Sequence, residues 1–386
     1  MENFQFCVPT NVFFGKGQIE QLPEVMKEYG KNVLLVYGGG SIKRLGIYDK
    51  ILSLLPESNI IELEGIARNP RIDKVREGAR LCEENQVDVI LAVGGGSVLD
   101  SAKAIAVSAA MKLDAWKIIS EHLDITAALP IVAVPTVAAT GSETDSGAVI
   151  SNPETNEKLS FMSPLVFPKA AILDPTYTFS IPASQTAAGS ADILSHLMEQ
   201  YFVAENTMMS DLLVESVMKT VIHYTPIALR EPDNYEARAQ LLWASNIADN
   251  ATLCNGNRLH AFGVHGMEHE FSAFYDMTHG VGLSILTPRW MRHVLSEQTA
   301  PRFAHFAKAV WGVEDMNDNF ATAREGIKRL EDFLKSLGIP MTLGELGIND
   351  RDFEAMAKHA VEHEWLAYAW VPLTEQDVIS IYRNCL

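Results

Sequence analysis

Two apolar runs in the first hundred residues are each followed by the same four residues, Gly-Gly-Gly-Ser. This repeated pattern constrains the fold more than any other feature of the sequence. Val33–Tyr37 leads into Gly38–Ser41, and Val87–Val93 leads into Gly94–Ser97. Apolar runs of this length that alternate with amphipathic stretches are typical of a parallel sheet covered on both faces by helices. The sequence therefore predicts an α/β unit at the start of the chain.

The alternation continues to Pro182 and then stops. Two further strands are predicted at Asn59–Leu63 and Ile131–Pro135, and helices at Ile72–Asn85 and Val98–Met111. The later helical patterns span Ser184–Val203, Ser210–Leu229, Tyr235–Thr252, Gly280–Glu297, Phe320–Leu337 and Asp352–Glu364. We expect an α/β nucleotide-binding domain with a parallel sheet at residues 1–182 and an all-helical, metal-binding domain at residues 183–386.

Composition narrows the class of protein. With 47% hydrophobic and 21% charged residues, the chain can bury a large core, and its net charge of −18 argues against binding to nucleic acid or anionic membranes. The first residues lack the basic and apolar segments of a signal peptide, and no apolar run is long enough to span a membrane. The four scattered cysteines predict reduced thiols, so we expect a cytoplasmic protein.

The glycine-rich endings are candidate phosphate-binding loops. Ligands of parallel sheets bind at the carboxyl ends of the strands, and a glycine turn that opens a helix lets backbone N–H groups approach phosphate. Neither loop fits G-x-G-x-x-G or a Walker motif, and a tight turn would explain one copy alone. Two copies favour a nucleotide site.

Other residues near these loops have both a functional and a structural explanation. Ser97 is predicted to cap the following helix, and Asp100 falls in its first turn, where an acid also favours the helix dipole. The segment Pro135–Glu143, at a strand end, is a cofactor-lining loop or an ordinary turn with helix caps. Lys158 is a phosphate or ribose contact, or a surface lysine.

The second half of the chain carries a candidate metal site. His260, His265, His269 and His279 fall within about twenty residues, and Asp192 and His196 are four residues apart on one predicted helix face. An Asp-His-His-His set of Asp192, His196, His265 and His279 would suit Fe²⁺ or Zn²⁺. The alternatives are a hydrogen-bonded Asp192–His196 pair and a competing ligand pair, His359 and His363, with the same spacing as His265 and His269.

The motifs together resemble the iron-containing, or group III, alcohol dehydrogenases over nearly the whole chain. The resemblance rests on FGKG at 14–17, YGGGSIK at 37–43, GGGSVLDSAK at 94–103, TGSE at 140–143, DPTYTFSIP at 174–182, D-x-x-x-H at 192–196 and H-x13-H at 265–279. The chain is most similar to the branch of butanol dehydrogenases and NADPH-dependent aldehyde reductases. It departs from the common pattern of the third loop at Val137 and Ala139.

The resemblance implies a dehydroquinate synthase-like fold, a homodimer, and site residues. It implies Asp192, His196, His265 and His279 as ligands of one Fe²⁺ or Zn²⁺ ion, and His269 as a catalytic residue in the proton path. The cofactor-binding set is Gly38, Gly39, Gly40, Ser41, Asn69, Gly94, Gly95, Gly96, Ser97, Asp100, Thr136, Thr140 and Lys158. No role is predicted for His260 or Asp145.

The resemblance also implies hydride transfer between a nicotinamide cofactor and a primary alcohol or aldehyde such as butanol or butanal. Gly39 stands where NAD-linked relatives often have an aspartate, so NADP(H) is expected over NAD(H), with Lys43 as one residue that could hold the extra phosphate. Glu62 and Glu64 favour the opposite choice, because an acid after the second strand binds ribose hydroxyls. The alternatives are a lyase related to dehydroquinate synthase and an NAD-linked glycerol or diol dehydrogenase.

Overall fold

The computed structural model describes residues 1–364 and 366–386, and within them the strands and helices alternate only in the first half. The strands are β1 Asn11–Phe14, β2 Asn32–Tyr37, β3 Asn59–Leu63, β4 Val89–Gly94, β5 Ile131–Pro135, β6 Gly147–Asn152, β7 Glu157–Met162 and β8 Ala170–Leu173. The α-helices of the first half are α1 Leu22–Met26, α2 Ser41–Arg44, α3 Ile47–Leu54, α4 Ile72–Glu84, α5 Gly96–Met111 and α6 Ala115–Ser120.

The second half is helical. Its α-helices are α7 Ala183–Tyr201, α8 Met208–Arg230, α9 Tyr235–Ala248, α10 Gly263–Tyr275, α11 His279–Val294, α12 Ala300–Trp311, α13 Asn319–Ser336, α14 Phe353–His363 and α15 Glu375–Asn384. Short 3-10 helices span Gln18–Gln21, Pro164–Val166, Pro175–Thr178, Gly344–Leu346, Asp350–Asp352 and Leu366–Tyr368. None of these helices combines the length and apolar character needed to cross a membrane.

The α/β unit is built on a six-stranded sheet in the order β1-β8-β5-β4-β2-β3, with every pair parallel. Side chains of each central strand alternate between two cores, so Leu34 and Val36 face one core while Val33 and Leu35 face the other. Burial on both faces explains why the central strands are continuous apolar runs. The four predicted strands are confirmed, and β6 and β7 add an antiparallel hairpin.

Strand order places the two glycine loops side by side. The chain runs outward from β2 to β3 and resumes at β4 on the other side of β2, then continues to β5. The ends of β2 and β4 therefore flank the point where the strand order reverses, which is where ligands bind in open parallel sheets.

The chain forms two compact units that differ from a simple division after residue 182. One unit contains residues 7–181 and 232–250, and the other contains residues 1–6, 182–231 and 251–386. The helix predicted at Tyr235–Thr252 is expected in the helical domain, whereas the structure places α9 in the α/β unit. The reason is a set of polar contacts: the Ala139 N–H donates to Ser245 Oγ at 2.9 Å, and Asn246 Nδ2 donates to the buried Glu143 carboxylate at 3.0 Å.

Candidate metal centre and cofactor loops

Three helices of the helical unit bring imidazole nitrogens to one aspartate oxygen. Asp192 Oδ1, on α7, lies 3.7 Å from His196 Nδ1, 3.9 Å from His265 Nε2 and 3.7 Å from His279 Nε2. A tetrahedral ion with bonds of about 2.1 Å holds its ligand atoms about 3.4 Å apart. The spacing of Asp192, His265 and His279 therefore fits a small divalent cation, and His196 adjoins the same oxygen.

The burial of the proposed ligand atoms also fits a bound divalent cation. Asp192 is 3% exposed, and within the described ranges neither its Oδ1 nor His265 Nε2 has a hydrogen-bond partner. Burying a carboxylate oxygen without a partner is costly, whereas coordination to a cation would satisfy it. One carboxylate with imidazoles is a donor set for Fe²⁺ or Zn²⁺ rather than for Ca²⁺.

Two glycines allow the helices to approach closely enough to form this cluster. A Cβ on Gly280, at the start of α11, would lie 2.0 Å from the carbonyl oxygen of Ala188 on α7. A Cβ on Gly282 would lie 2.6 Å from the Glu268 side chain. The absence of side chains at both positions lets α11 pack against α7 and α10, which places His279 beside Asp192.

A carboxylate holds the far nitrogen of two of these histidines. His265 Nδ1 is hydrogen-bonded to Glu199 and His279 Nδ1 to Glu268. Glu199 also accepts the backbone N–H groups of Val264 and His265 at the start of α10, at 2.7 and 3.2 Å. In their ionised form the two carboxylates can only accept, so each ring then has its proton on Nδ1 and its Nε2 lone pair available, which is the arrangement of carboxylate-histidine-metal sites.

Protonation of the cluster follows from its burial. Burial lowers the pKa of His265 well below 6.5, and nearby His196 lowers it further. The imidazole is therefore neutral near pH 7, which is the form that binds metals. Burial raises the pKa of Glu199 to about 8, against the effect of the two backbone N–H groups that it accepts.

His359, His363 and His260, three other histidines considered in the sequence, make different contacts. His359 Nδ1 is 3.6 Å from the buried Glu270 carboxylate, and the rings of His359 and His363 are 5.9 Å apart. Neither is among the residues whose ligand atoms cluster together, which are Asp192, His265 and His279. His260 Nε2 accepts a long hydrogen bond from the Ala204 N–H at 3.4 Å, a local contact.

In the α/β unit, the segment after β3 joins the two glycine loops. The Gly65 N–H donates to the Gly38 carbonyl at 3.2 Å, and Ser97 Oγ donates to the Arg68 carbonyl. Asn69 is 5% exposed at this junction. The prediction that Ser97 caps α5 was wrong: the helix begins at Gly96 with Gly95 as its cap residue, and the Ser97 hydroxyl is engaged with Arg68.

The third loop packs against the second. The Thr136 N–H donates to the Gly94 carbonyl at 2.9 Å, and Val137 lies 3.3 Å from where a Cβ on Gly95 would be. A Cβ on Gly96 would lie 2.5 Å from the Thr140 side chain. Glycine at position 96 is therefore required by the close approach of Thr140.

A buried lysine fixes the far end of the third loop. Lys103, on α5, is fully buried and donates to Ser142 Oγ at 2.9 Å, Asp145 Oδ1 at 2.5 Å and the Gly147 carbonyl at 2.7 Å. Asp100 accepts from Ser142 Oγ at 2.7 Å and from the Val149 N–H at 3.0 Å. Asp145, for which the sequence suggested no role, is thus the ionic partner of Lys103.

Asp100 and Lys158 are the two remaining predicted cofactor contacts, and their environments differ from each other. Burial raises the pKa of Asp100 to about 6, and the nearby Lys103 lowers it. Lys158 lies on β7 and is 5% exposed, which excludes its interpretation as a surface lysine.

The sequence comparisons extend over both units. A family profile described as iron-containing alcohol dehydrogenase matches residues 9–175, and one described as the C-terminal domain of the Fe-containing alcohol dehydrogenase family matches residues 186–386. The chain belongs to the iron-containing alcohol dehydrogenase family. This membership confirms the resemblance and makes the chain an NAD(P)-dependent alcohol dehydrogenase.

Relatives and solved structures cover the chain from end to end. It is 47% identical over 388 residues to NADH-dependent butanol dehydrogenase A of Clostridium acetobutylicum, with 100% of both chains covered. It is 35% identical to NADPH-dependent aldehyde reductase YqhD of Escherichia coli, with 94% of each covered. The crystal structure of NADH-dependent butanol dehydrogenase A from Thermotoga maritima superimposes with a TM-score of 0.96 at 36% identity, covering 100% of this chain and 99% of that one.

Sequence reasoning missed the carboxylates around the histidines. Glu199 follows His196 by three residues on α7, so helical spacing from the predicted Asp192–His196 pair could have indicated it. Glu268 directly precedes His269 and lies eleven residues from its partner, so no spacing rule indicates it. The Glu364 contact with His269 joins residues 95 apart and has no local signal.

Proposed function

We propose that the chain is a metal-dependent alcohol dehydrogenase and aldehyde reductase for primary alcohols and aldehydes of the butanol and butanal type. The observation that carries the proposal is the buried Asp192 oxygen with three imidazole nitrogens at 3.7 to 3.9 Å. The butanol dehydrogenases of Clostridium acetobutylicum, at 47% and 46% identity, support the substrate class.

In this proposal, Asp192, His196, His265 and His279 hold one divalent ion, Fe²⁺ or Zn²⁺. Bound there, such an ion would supply Lewis acidity toward a carbonyl or alcohol oxygen, and a nicotinamide would supply or accept the hydride. Glu199 and Glu268 hold His265 and His279 with their Nε2 atoms available. Because these hydrogen bonds fix the two rings, less reorganisation is required in the reaction.

His269 is proposed to carry the proton. It is 6% exposed, and its ring lies 5.8 Å from that of His279, centroid to centroid, with 30° between the planes. It is therefore adjacent to a proposed ligand, while its own Nδ1 is engaged with Glu364. An imidazole in this position can give a proton to an alkoxide or accept one from an alcohol.

The cofactor is proposed to bind along the three loops of the α/β unit. Gly38–Ser41 and Gly94–Ser97 follow neighbouring parallel strands, and Asn69, Thr136 and Thr140 adjoin them. Backbone N–H groups in such turns are suited to the pyrophosphate of a dinucleotide. Asp100 and Lys158 also belong to the proposed cofactor-binding set. Asp100 is linked to Lys103 through the Ser142 hydroxyl, which both residues contact.

Cofactor choice is proposed to favour NAD(H) over the NADP(H) expected from Gly39. Lys43, a candidate for holding a 2′-phosphate, lies 3.4 Å from Glu62 and 3.3 Å from Glu64, so its charge is already neutralised. Hydrogen bonds from Tyr37 and Lys43 lower the pKa of Glu64, which keeps it anionic. Two carboxylates beside the first loop would repel a 2′-phosphate and could bind ribose hydroxyls.

The homodimer expected from the family resemblance is also a proposal. Met208, Met209, Leu212 and Leu213 at the start of α8 are 78%, 64%, 51% and 41% exposed, an unusual apolar surface for an isolated subunit. Light scattering coupled to size exclusion should give about twice the mass of one chain.

The proposal is tested on protein purified without oxygen. We expect about one equivalent of iron or zinc per chain, and oxidation of NADH in the presence of butanal, with NADPH used less well. Bound metal with no cofactor oxidation by any aldehyde would contradict the proposal and favour a lyase related to dehydroquinate synthase. Glycerol oxidation in preference to butanol would favour the diol alternative.

A further inference from the structure

Three neighbouring histidines share one arrangement, although only two of them belong to the proposed ligand set. His265, His279 and His269 are each hydrogen-bonded through Nδ1 to a glutamate. For His269 the partner is Glu364 Oε1, at 2.8 Å. The side chains of His269 and Glu364 are 8% and 12% exposed, so water competes little for this bond.

The approach of Glu364 to His269 depends on a glycine. Glu364 follows the last residue of α14, and its side chain lies close to α10 at Gly266, one turn before His269. A Cβ on Gly266 would lie 2.7 Å from Glu364 Cβ and 3.0 Å from the Leu366 side chain. The bare backbone at position 266 therefore lets the segment reach His269.

We propose that Glu364 is a positioning residue for the reaction, which rests on the function proposed above and on His269 as its proton carrier. A carboxylate accepts hydrogen bonds and donates none, so the neutral His269 ring has its proton on Nδ1. Its Nε2 is then the acceptor, and the ring is held against that of His279. Without Glu364 the ring would be free to change tautomer and orientation.

A purely structural role, in which Glu364 only ties α14 to α10, makes different predictions. Loss of a structural tie would lower stability and impair catalysis whether or not His269 is present. Loss of a positioning residue should have no effect on catalysis once His269 has been removed, because residues that act as a unit are non-additive.

The test combines Glu364→Ala, Glu364→Gln, His269→Ala and the Glu364→Ala/His269→Ala double variant. The control is Glu362→Gln, an exposed glutamate near the end of α14 that pairs with Lys358 at 3.8 Å. We expect Glu364→Ala to lower kcat for butanal reduction about 10-fold or more, with an almost unchanged KM and full metal content. Glu364→Gln should recover most of this loss, because its amide oxygen still accepts from Nδ1.

The double variant decides between the two roles. We expect its kcat to equal that of His269→Ala, whereas multiplied effects of the two substitutions would overturn the proposal. A second readout is independent of turnover: in zinc-loaded protein with ¹⁵N-labelled histidine, His269 should be the Nδ1–H tautomer, assigned by its loss in His269→Ala. An Nε2–H tautomer in the unmodified protein would also overturn the proposal.

The two proposals can fail separately. If the unmodified protein reduces no aldehyde, the proposed function fails, and the histidine spectra of the unmodified protein and Glu364→Ala still decide whether Glu364 sets the tautomer. If the protein is active but the double variant shows multiplied effects, only the role of Glu364 fails.

Discussion

Asp192 Oδ1 and His265 Nε2 lie 3.9 Å apart, both are buried, and within the part of the chain that the structure describes neither atom has a hydrogen-bond partner. The two residues are 73 positions apart in sequence, on α7 and α10. A buried pair of polar atoms at this separation is too far apart to hydrogen-bond and close enough to share a cation. The pair therefore supports the proposed metal site.

Removing either atom should abolish metal binding. We expect Asp192→Ala and His265→Ala to bind Fe²⁺ or Zn²⁺ more than about 100-fold more weakly, because each loses a direct ligand. Metal content after dialysis, together with butanal reduction, measures this. His359→Ala is the control, since His359 pairs with Glu270 outside the cluster, and it should keep its metal. Full metal content in Asp192→Ala would exclude the ligand set.

Glu268, which is hydrogen-bonded to His279 Nδ1, should increase the affinity of the site for metal. Glu268 is fully buried and binds His279 Nδ1, and it accepts from Ser272 Oγ at 2.7 Å. Replacing it by glutamine preserves volume and removes the charge, so zinc affinity measured by chelator competition should fall about 10- to 100-fold.

The matched control for this prediction is Glu215→Gln. Glu215 is also a buried glutamate that accepts from a histidine, His305 Nε2, at 3.0 Å, but His305 is not one of the proposed metal ligands. Zinc affinity should be unchanged in this variant. Equal losses in both variants would show that the effect of Glu268 comes from general destabilisation.

The two glutamates beside Lys43 should set cofactor preference. In the Glu62→Gln/Glu64→Gln variant, Lys43 is released and the negative charge is removed, so kcat/KM for NADPH relative to NADH should rise about 10-fold, equivalent to about 1.4 kcal/mol. The ratio is measured by cofactor oxidation with butanal. Glu57→Gln, which affects only an exposed pair with Lys31, should leave the ratio unchanged. An unchanged ratio in the double variant would contradict the role of the two glutamates in cofactor choice.

The buried Lys103 should stabilise the α/β unit. Lys103→Met leaves the carboxylates of Asp145 and Asp100 without their buried cation, and we expect it to lower the free energy of unfolding by about 3–5 kcal/mol. Urea denaturation measures the loss, and Lys117→Met, at an exposed position, is the control. A change of less than about 1 kcal/mol would contradict the role of this ion pair.

The decrease in the free energy of unfolding caused by Lys103→Met should also depend on pH. Burial raises the pKa of Asp100 from 3.8 to about 6, and Lys103 opposes this shift. Because the folded state binds this proton at a higher pH than the unfolded state, ionising Asp100 costs stability as pH rises through that window. Lys103→Met enlarges the cost, so the difference from the unmodified protein should be largest at pH 7 and decrease below about pH 6.

The sequence alone predicts the strands of the parallel sheet. It does not predict which elements the helices pack against. Asn59–Leu63 and Ile131–Pro135 are strands at the predicted bounds, because buried parallel strands are continuous apolar runs. The helix at Tyr235–Ala248 was also predicted, but its pattern gave no indication that Ser245 and Asn246 bind the third loop. Hydrophobic periodicity shows which face of a helix is buried, not against which element.

The candidate site shows the same limit. Helical spacing brought Asp192 and His196 together, and it gave His265–His269 and His359–His363 equal standing. What separates these pairs is the approach of α7, α10 and α11, which depends on glycines such as Gly280. The density of histidines made His279 a candidate, and the family resemblance selected it, because no spacing rule joins it to Asp192, 87 residues earlier.

The most direct test of the account is the effect of metal removal on aldehyde reduction. NADH oxidation with butanal, and the butanol formed, should be measured before chelation, after chelation without oxygen, and after Fe²⁺ or Zn²⁺ is restored. We expect equimolar NADH loss and butanol formation, almost complete loss of activity in the metal-free protein, and recovery with one equivalent of metal. Undiminished reduction by protein shown to be metal-free would contradict the account.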